Sequence, residues 1–139
     1  MDFYLLPQAD PEARLDTVCR LAEKAYALGQ RVYIHADSAE QARVLDERLW
    51  TFRDGSFVPH ALEPAIGDEL SPVRIGWQGA PTDFRQVLIN LTAAMPTELG
   101  EFERILEVLD QRPEVLASGR ERFRRYRELG LEPHTHRLS

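Results

Sequence analysis

The 139-residue sequence has a single cysteine, Cys19, and no apolar run long enough to cross a membrane. One thiol cannot form an internal disulfide, which favours a reducing compartment. The opening residues, MDFYLLPQ, lack the basic segment and the long apolar stretch of a signal peptide. These absences predict a cytoplasmic protein. The length and the 43% hydrophobic content are typical of one globular domain spanning residues 1–139.

The motifs of several common catalytic and cofactor sites are also absent. The sequence contains no Gly-x-Ser-x-Gly element, no His-Glu-x-x-His pair and no phosphate-binding loop ending in Gly-Lys-Ser/Thr. His134 and His136 form a His-x-His pair, but no cysteine accompanies them in a metal-ligating pattern. Cys19 lies on an apolar helical stripe, which predicts a buried, unreactive thiol. We therefore expect no metal, no cofactor and no catalytic residue, and a binding module is favoured over an enzyme.

Lysine is nearly absent, because Lys24 is the only lysine among 17 basic residues. The net charge of −6 argues against general binding of nucleic acid. Residues 112–127 nevertheless contain six arginines and two glutamates, a local charge of +4 that leaves −10 on the remainder. Arginine forms planar, bidentate pairs with carboxylates and phosphates, so this cluster indicates anion recognition. GC-rich coding would give the same arginine bias.

Short apolar runs alternate with helical repeats in the first 50 residues. Residues 3–6 and 31–35 are predicted strands. One helix begins at Asp10-Pro11, where a capping residue precedes a proline in the first turn, and it ends at Gly29. A second helix begins at Ser38, which forms a capping box with Gln41, and it runs to about Leu49.

This alternation predicts an α/β fold, a three-layer sandwich with a mostly parallel central sheet and right-handed crossovers. The first strand–helix junction, PQADPEA, contains no glycine. The fold is therefore expected to be Rossmann-like in topology but without the glycine loop that binds nucleotides.

The second half of the chain gives a weaker pattern. Strands are predicted at residues 73–77, 87–91 and 104–109, the last of these being ambiguous because residues 102–109 also fit helical spacing. A turn of helix is expected at 98–102, and a final helix from Pro113 to the residue before Gly130, with Gly119 as a weak point or a site of close approach. Residues 61–71 are interpreted as an acidic surface loop, and residues 131–139 as a polar, loosely held tail.

Three large aromatic residues, Trp50, Phe52 and Phe57, lie within eight positions around the Asp54-Gly55 turn. They either fill the core beneath a loop or form an exposed patch that a partner covers. Because a loop is a poor place to bury three aromatic side chains together with their backbone, we favour a partner-binding surface.

A second candidate surface follows the final helix, where Arg120, Phe123, Arg124 and Arg127 recur at three- and four-residue intervals. An arginine-rich helix face is most often simply solvated. A stripe that mixes arginine with an aromatic residue can, however, hold a ligand that is both anionic and hydrophobic.

Three segments together resemble the chi subunit family of bacterial DNA polymerase III holoenzyme: LDERLW at 45–50, SFVPH at 56–60 and RERFRRYR at 120–127. The resemblance extends from Phe3 to about Leu131. It implies a non-catalytic α/β subunit of the cytoplasmic, nucleoid-associated replisome. Such a subunit bridges the psi subunit of the clamp loader complex and the acidic C-terminal tail of single-stranded-DNA-binding protein. A repair helicase is an additional partner that the resemblance allows, whereas strong direct binding of nucleic acid and of membranes is not expected.

The resemblance also implies which residues form each contact. The psi-binding residues would be Trp50, Phe52, Phe57, Val58 and Pro59. The tail-binding residues would be Leu109, Arg120, Phe123, Arg124 and Arg127, with Leu109 as an apolar wall. Two positions depart from the family pattern: Leu116 stands where some members carry a lysine, and Phe123 replaces a tyrosine. Both changes make the pocket more apolar.

Two other functions compete with this adaptor. The first is a small nucleotide-binding protein or enzyme that uses the Rossmann-like sheet, with the arginines gripping phosphate; the glycine-free first turn is its weakness. The second is direct nucleic-acid binding by residues 112–127, which is disfavoured because one basic patch on an acidic protein makes few phosphate contacts.

Overall fold

The computed structural model describes residues 1–55, 57–63, 71–80, 84–96 and 99–139. Strands and helices alternate along most of the chain. In order, they are β1 (Asp2–Leu5), α1 (Pro11–Ala27), β2 (Val32–His35), α2 (Ala39–Thr51), β3 (His60–Leu62), β4 (Val73–Gly76), β5 (Val87–Asn90), a 3-10 turn (Leu99–Glu101), β6 (Arg104–Leu109), α3 (Pro113–Glu128) and β7 (His134–Arg137).

Within the described residues, seven strands form one sheet in the order β3-β4-β2-β5-β6-β1-β7, and every neighbouring pair is parallel. Alternate residues of β6 pack against different layers: Leu106 and Val108 join the cluster that includes α1 and α2, whereas Leu109 packs with Tyr126 of α3. The helices therefore cover both faces of the sheet. The predicted α/β sandwich is confirmed, and its sheet is more completely parallel than the sequence indicated.

The predicted starts of α1 and α2 are confirmed by their capping hydrogen bonds. The Asp10 carboxylate accepts a hydrogen bond from the Ala13 N–H at 3.1 Å. The Ser38 hydroxyl accepts one from the Gln41 N–H at 3.1 Å, and the Gln41 side-chain oxygen accepts one from the Asp37 N–H at 2.8 Å. The second helix extends to Thr51, so Trp50 lies in its last turn.

Cys19 lies in the core between α1 and the sheet, where it is fully buried. Burial raises the pKa of its thiol to about 12, with a smaller contribution from the nearby Asp16 carboxylate. The predicted structural thiol is thus confirmed.

The prediction that residues 131–139 form a loosely held tail was wrong. Residues His134–Arg137 form β7, an edge strand parallel to β1. The His134 N–H donates to the Met1 carbonyl at 3.0 Å, and the Leu138 N–H donates to the Leu5 carbonyl at 2.8 Å. Residues 104–109 form the predicted strand, β6, and β7 is an additional strand that was not predicted. The side chains of β7 are all exposed, which left no apolar pattern to indicate a strand.

The predicted surface loop at residues 61–71 is also partly wrong, because Ala61 and Leu62 belong to β3, which pairs with β4. Residues 64–70 lie outside the described residues. The strands predicted at 73–77 and 87–91 are confirmed as β4 and β5, each one residue shorter than predicted.

A buried polar cluster joins α3 to the sheet. The Glu107 carboxylate accepts hydrogen bonds from Arg122 Nε and Nη2, both at 3.0 Å, and from the Tyr126 hydroxyl at 2.7 Å. It also accepts one from Asn90 Nδ2 at 3.1 Å. Glu107 and Asn90 are fully buried and Arg122 is 2% exposed. Burial and the neighbouring Glu107 carboxylate raise the pKa of Tyr126 well above its ordinary value.

Candidate functional site

A cavity of about 230 Å³ opens between α3 and the edge of the sheet formed by β1 and β7. Most of its lining is apolar, and its polar groups are two guanidinium groups, one amide and one hydroxyl. The lining residues are Phe3, Leu5, Leu109, Gln111, Leu116, Gly119, Arg120, Phe123, Thr135 and Arg137.

Gly119 allows α3 to approach β6 closely enough to form this cavity. A Cβ atom added at Gly119 would lie 2.4 Å from Leu109 Cδ1 and 3.0 Å from its Cδ2. Such distances are far inside van der Waals contact, so any side chain here would displace Leu109 or the helix. Of the two alternatives predicted for Gly119, a weak point or a site of close approach, the structure shows the close approach.

The Phe123 ring forms one wall and is held by aromatic packing. It meets the Phe3 ring edge-on at a centroid distance of 5.2 Å, and Phe3 meets Tyr126 in the same manner at 5.9 Å. Edge-to-face contacts of this kind fix ring orientation as well as burying area. The wall is therefore anchored to β1 and to the buried cluster around Glu107.

A second, more open groove of about 470 Å³ continues along the outer face of α3. Arg120 and Phe123 belong to both the cavity and this groove, so the two are continuous. All five residues predicted for tail binding lie in this combined depression, which we call the α3 groove. The open part is lined by Arg120, Phe123, Arg124, Arg127 and Glu128.

The arginines of the α3 groove differ in whether a carboxylate already pairs with them. Arg124 is bound by Glu121 and, at 2.7 Å, by Glu128 of the same helix, and these carboxylates raise its pKa. In the part of the chain that the structure describes, Arg120, Arg127 and Arg137 form no ion pair. These three exposed guanidinium groups are available to an incoming anion.

Sequence reasoning missed the side of the cavity that does not come from α3. Phe3 and Leu5 are alternate residues of β1, and Thr135 and Arg137 are alternate residues of β7. Only the apolar run of β1 was visible as a pattern, and it indicated a buried strand rather than a binding surface. Nothing in the sequence indicated that β7 would lie beside it.

The aromatic segment after α2 divides between surface and core. The Trp50 side chain is 50% exposed and that of Phe57 is 66% exposed, with their ring centroids 5.5 Å apart. Phe52 packs against the main core, Val58 is completely buried and Pro59 is half-buried. The aromatic patch, defined as Trp50, Phe57 and Pro59, can contact a partner, whereas Phe52 and Val58 support it from beneath.

His60 fixes the underside of the aromatic patch. Its side chain is buried, with Nδ1 2.6 Å from the Val58 carbonyl oxygen and Nε2 2.8 Å from that of Asp46. The Trp50 ring lies against it at a centroid distance of 4.3 Å. These contacts join the end of α2 to the start of β3 and set the position of the indole.

Across the described residues, no three His, Cys, Asp or Glu side chains come together in a way that could hold a metal ion. His136 instead contacts Asp2, at 2.8 Å between Nε2 and Oδ1. None of the helices in these residues has the length and apolar character needed to cross a membrane.

Comparison with known proteins agrees with the resemblance seen in the sequence motifs. Residues 1–134 match the family model described as DNA polymerase III chi subunit, HolC. The chain is similar to DNA polymerase III subunit chi of Pseudomonas aeruginosa, with 44% identity over 138 residues that cover 99% of this chain and 96% of the relative. It is 31% identical to the Escherichia coli protein of the same name, over 96% of this chain and 94% of the relative. The corresponding Haemophilus influenzae protein is 30% identical over 92% of this chain and 90% of the relative. The chain therefore belongs to the DNA polymerase III chi subunit family.

Proposed function

We propose that this chi-family protein is a non-catalytic adaptor that binds two proteins at once. The aromatic patch binds the psi subunit of the clamp loader, and the α3 groove binds the acidic C-terminal tail of single-stranded-DNA-binding protein. The observation that carries the proposal is the α3 groove, an apolar cavity flanked by free guanidinium groups on an otherwise acidic protein.

The α3 groove suits a peptide that combines an apolar end with acidic residues. The cavity lined by Leu109 and Phe123 accepts an apolar side chain, and the arginines beside it accept carboxylates. With a net charge of −6 the protein as a whole repels an acidic peptide, so binding depends on the exposed arginines that line the α3 groove. Exposed ion pairs are screened by salt, and the affinity should therefore fall as ionic strength rises.

The aromatic patch suits a protein partner. Exposed tryptophan and phenylalanine side chains in contact with each other are typical centres of binding energy in protein interfaces. The Trp50 ring packs on the buried His60 and the Phe57 ring packs on Trp50, which lowers the ordering cost on binding. A repair helicase that uses the same aromatic patch would compete with psi.

The two surfaces can be tested by measuring the binding of each variant to both partners. A fluorescent peptide with the tail sequence of the cognate single-stranded-DNA-binding protein is titrated at low and at moderate salt, and cognate psi is titrated separately. Arg120→Ala should lower the affinity for the peptide by about 10-fold or more, because a charge-assisted hydrogen bond is lost. It should leave the affinity for psi unchanged. Trp50→Ala and Phe57→Ala should show the reverse pattern.

Arg125→Ala is the matched control on the helix, because Arg125 is an exposed arginine of α3 that does not line the α3 groove. It should change the peptide affinity by less than about 2-fold. Equal loss of both partners with Arg120→Ala and with Trp50→Ala would contradict separate surfaces. A wild-type protein that is folded but does not bind the peptide at low salt would contradict the tail-binding function.

A further inference from the structure

A separate cavity of about 260 Å³ opens where β2 and β5 end. Beyond these ends, β2 leads through α2 to β3 on one side of the sheet order, whereas β5 leads to β6 on the other side. In parallel α/β sheets, ligands bind outside the carboxyl ends of strands at the point where such connections diverge. We call this space the strand-end cavity, and its walls include Arg14, Asp37, Thr92, Arg112, Glu114 and Ser118.

Arg14 brings a buried positive charge to the strand-end cavity. Its side chain extends from the first turns of α1, and the residue is only 6% exposed. Nε donates to the Val108 carbonyl at 2.8 Å, and Nη2 lies 3.5 Å from the Leu91 carbonyl oxygen. Within the described residues, Nη1 has no hydrogen-bond partner and Arg14 forms no ion pair. The guanidinium group is therefore positioned by the backbone and lacks a counter-ion.

The charges around Arg14 leave an excess of one positive charge. Besides Arg14 itself, the group contains Arg112 and Arg122, and the carboxylates are those of Asp110 and Glu107. Both carboxylates already bind another arginine, Asp110 through Arg112 Nε and Glu107 through Arg122. Burial, reinforced by the neighbouring Arg112 charge, lowers the pKa of Arg14 to about 10. Arg14 is still charged at neutral pH, and an anion in the cavity would relieve this repulsion.

Arg112 supplies a second guanidinium group. Its Nε donates to the two Asp110 oxygens at 3.0 and 2.8 Å. Among the described residues, its terminal nitrogens have no hydrogen-bond partner. Arg112 is also the N-cap residue of the 16-residue helix α3, and no side chain caps that end. The partial positive charge of the helix N-terminus adds to that of the two arginines.

The wall that follows β5 is held by the buried cluster around Glu107. Arg122 Nη1 donates to the Ala93 carbonyl at 3.1 Å, and the Thr92 hydroxyl donates to Asn90 Oδ1 at 2.8 Å. Arg122 and Asn90 both donate to Glu107. The strand-end cavity is therefore preformed, which lowers the ordering cost of binding.

We propose that the strand-end cavity binds a small hydroxylated phosphate ester, with its phosphate group between Arg14 and Arg112. Two guanidinium groups and a helix N-terminus favour a doubly charged phosphate over a carboxylate. The exposed carboxylates of Asp37 and Glu114 line the same cavity and accept hydrogen bonds from the hydroxyl groups of the ester. Side chains hold the phosphate here, because the first strand–helix junction has no glycine loop. This site goes beyond the adaptor function and shares no residue with the α3 groove.

The test is a titration followed by amide NMR at constant ionic strength, with ribose 5-phosphate, inorganic phosphate and ribose as separate probes. Wild type should bind ribose 5-phosphate saturably and about 10-fold more tightly than inorganic phosphate, because the ester also reaches the carboxylates. Ribose alone should not bind. The amide signals that move should be those of residues 91–93 and 114–118, which border the strand-end cavity, and not those of residues 124–127.

Arg112→Gln should lower the affinity for ribose 5-phosphate by about 10-fold. Because Arg112 also binds Asp110, a second variant leaves both arginines intact. Ser118→Glu places a carboxylate beside the strand-end cavity and should abolish binding, whereas its matched control Ser118→Ala should change the affinity by less than about 2-fold. Arg120→Ala, which removes a charge from the α3 groove, should have no effect. Wild-type thermal unfolding of Ser118→Glu would show that its fold is retained.

Three results would overturn the proposal. The first is a folded wild-type protein whose amide signals do not respond to either phosphate probe. The second is signal movement confined to residues 120–127, with binding that Arg120→Ala removes and Ser118→Glu does not, because the phosphate would then lie in the α3 groove. The third is equal affinity for ribose 5-phosphate and inorganic phosphate, which would exclude the ester as the ligand. None of these results depends on whether the α3 groove binds an acidic tail.

Discussion

Replacing Glu107 with glutamine is expected to destabilise the protein far more than its small change in shape suggests. The carboxylate holds four donor atoms from three side chains, Arg122, Tyr126 and Asn90. Glutamine offers one acceptor oxygen and places an NH₂ group where the second oxygen was. At least one donor then faces another donor, and the Arg122 charge remains buried without a carboxylate.

The expected loss follows from the burial of both partners. Glu107 is completely buried and Arg122 is 2% exposed, so water cannot replace the lost interaction. Breaking a buried ion pair by removing one partner costs about 3–5 kcal/mol. For a chain of this size, about 3–5 °C of Tm accompanies each kcal/mol, so the Tm of Glu107→Gln should fall by roughly 10–25 °C.

Urea and thermal unfolding followed by circular dichroism measure this loss. Glu103→Gln, the same substitution at an exposed position just before β6, should stay within about 0.5 kcal/mol of wild type. Replacing Glu107 and Arg122 together with methionine should recover only part of the stability, because no buried charge then remains but the Tyr126 hydroxyl loses its acceptor. A loss below about 1 kcal/mol for Glu107→Gln would refute the argument that this cluster joins α3 to the sheet.

Three further predictions concern the α3 groove, the core thiol and β7. Gly119→Ala should push Leu109 into the cavity, lowering stability by about 1–2 kcal/mol and weakening tail binding, as unfolding and peptide titration would show. Cys19, whose pKa burial raises to about 12, should resist thiol reagents until the protein unfolds. Because the unfolded thiol ionises first, the free energy of unfolding should fall above about pH 9, by up to about 1.4 kcal/mol per pH unit, and Cys19→Ala should remove that part of the slope. Asp2→Ala removes the contact with His136 and should speed hydrogen exchange of the β7 amides without affecting those of β5.

Helices and strands could be predicted from the sequence where they depend on residues that are close together in the chain. Helix starts at Asp10 and Ser38 depend on a side chain and a backbone N–H three residues away, and both are visible in the sequence. Apolar runs likewise identified β2, β4 and β5. The strand β7 depends on pairing with β1 and on the stacking of His136 on Tyr4, contacts that join residues more than 130 positions apart. No local sequence pattern indicates these long-range contacts.

The candidate surfaces show the same division. Helical spacing placed Arg120 and Phe123 on one stripe because both lie on α3. It could not show that Arg137 would complete the cavity from another element. In the aromatic segment, spacing did not separate exposed Trp50 from packed Phe52, because that difference depends on where the core lies relative to the last turn of α2.

The pairing of β1 with β7 has a consequence for protein synthesis. Leu5 leaves the ribosome about 130 residues before Arg137, which is roughly 6–25 s at ordinary rates of translation. During that time the arginines of α3 can already be present, but the wall formed by β7 cannot. A chain that stops before residue 134 would retain α3 and lack the cavity wall formed by Thr135 and Arg137. The cavity between α3 and β1 is therefore completed late in folding, after the chain has been translated through Arg137.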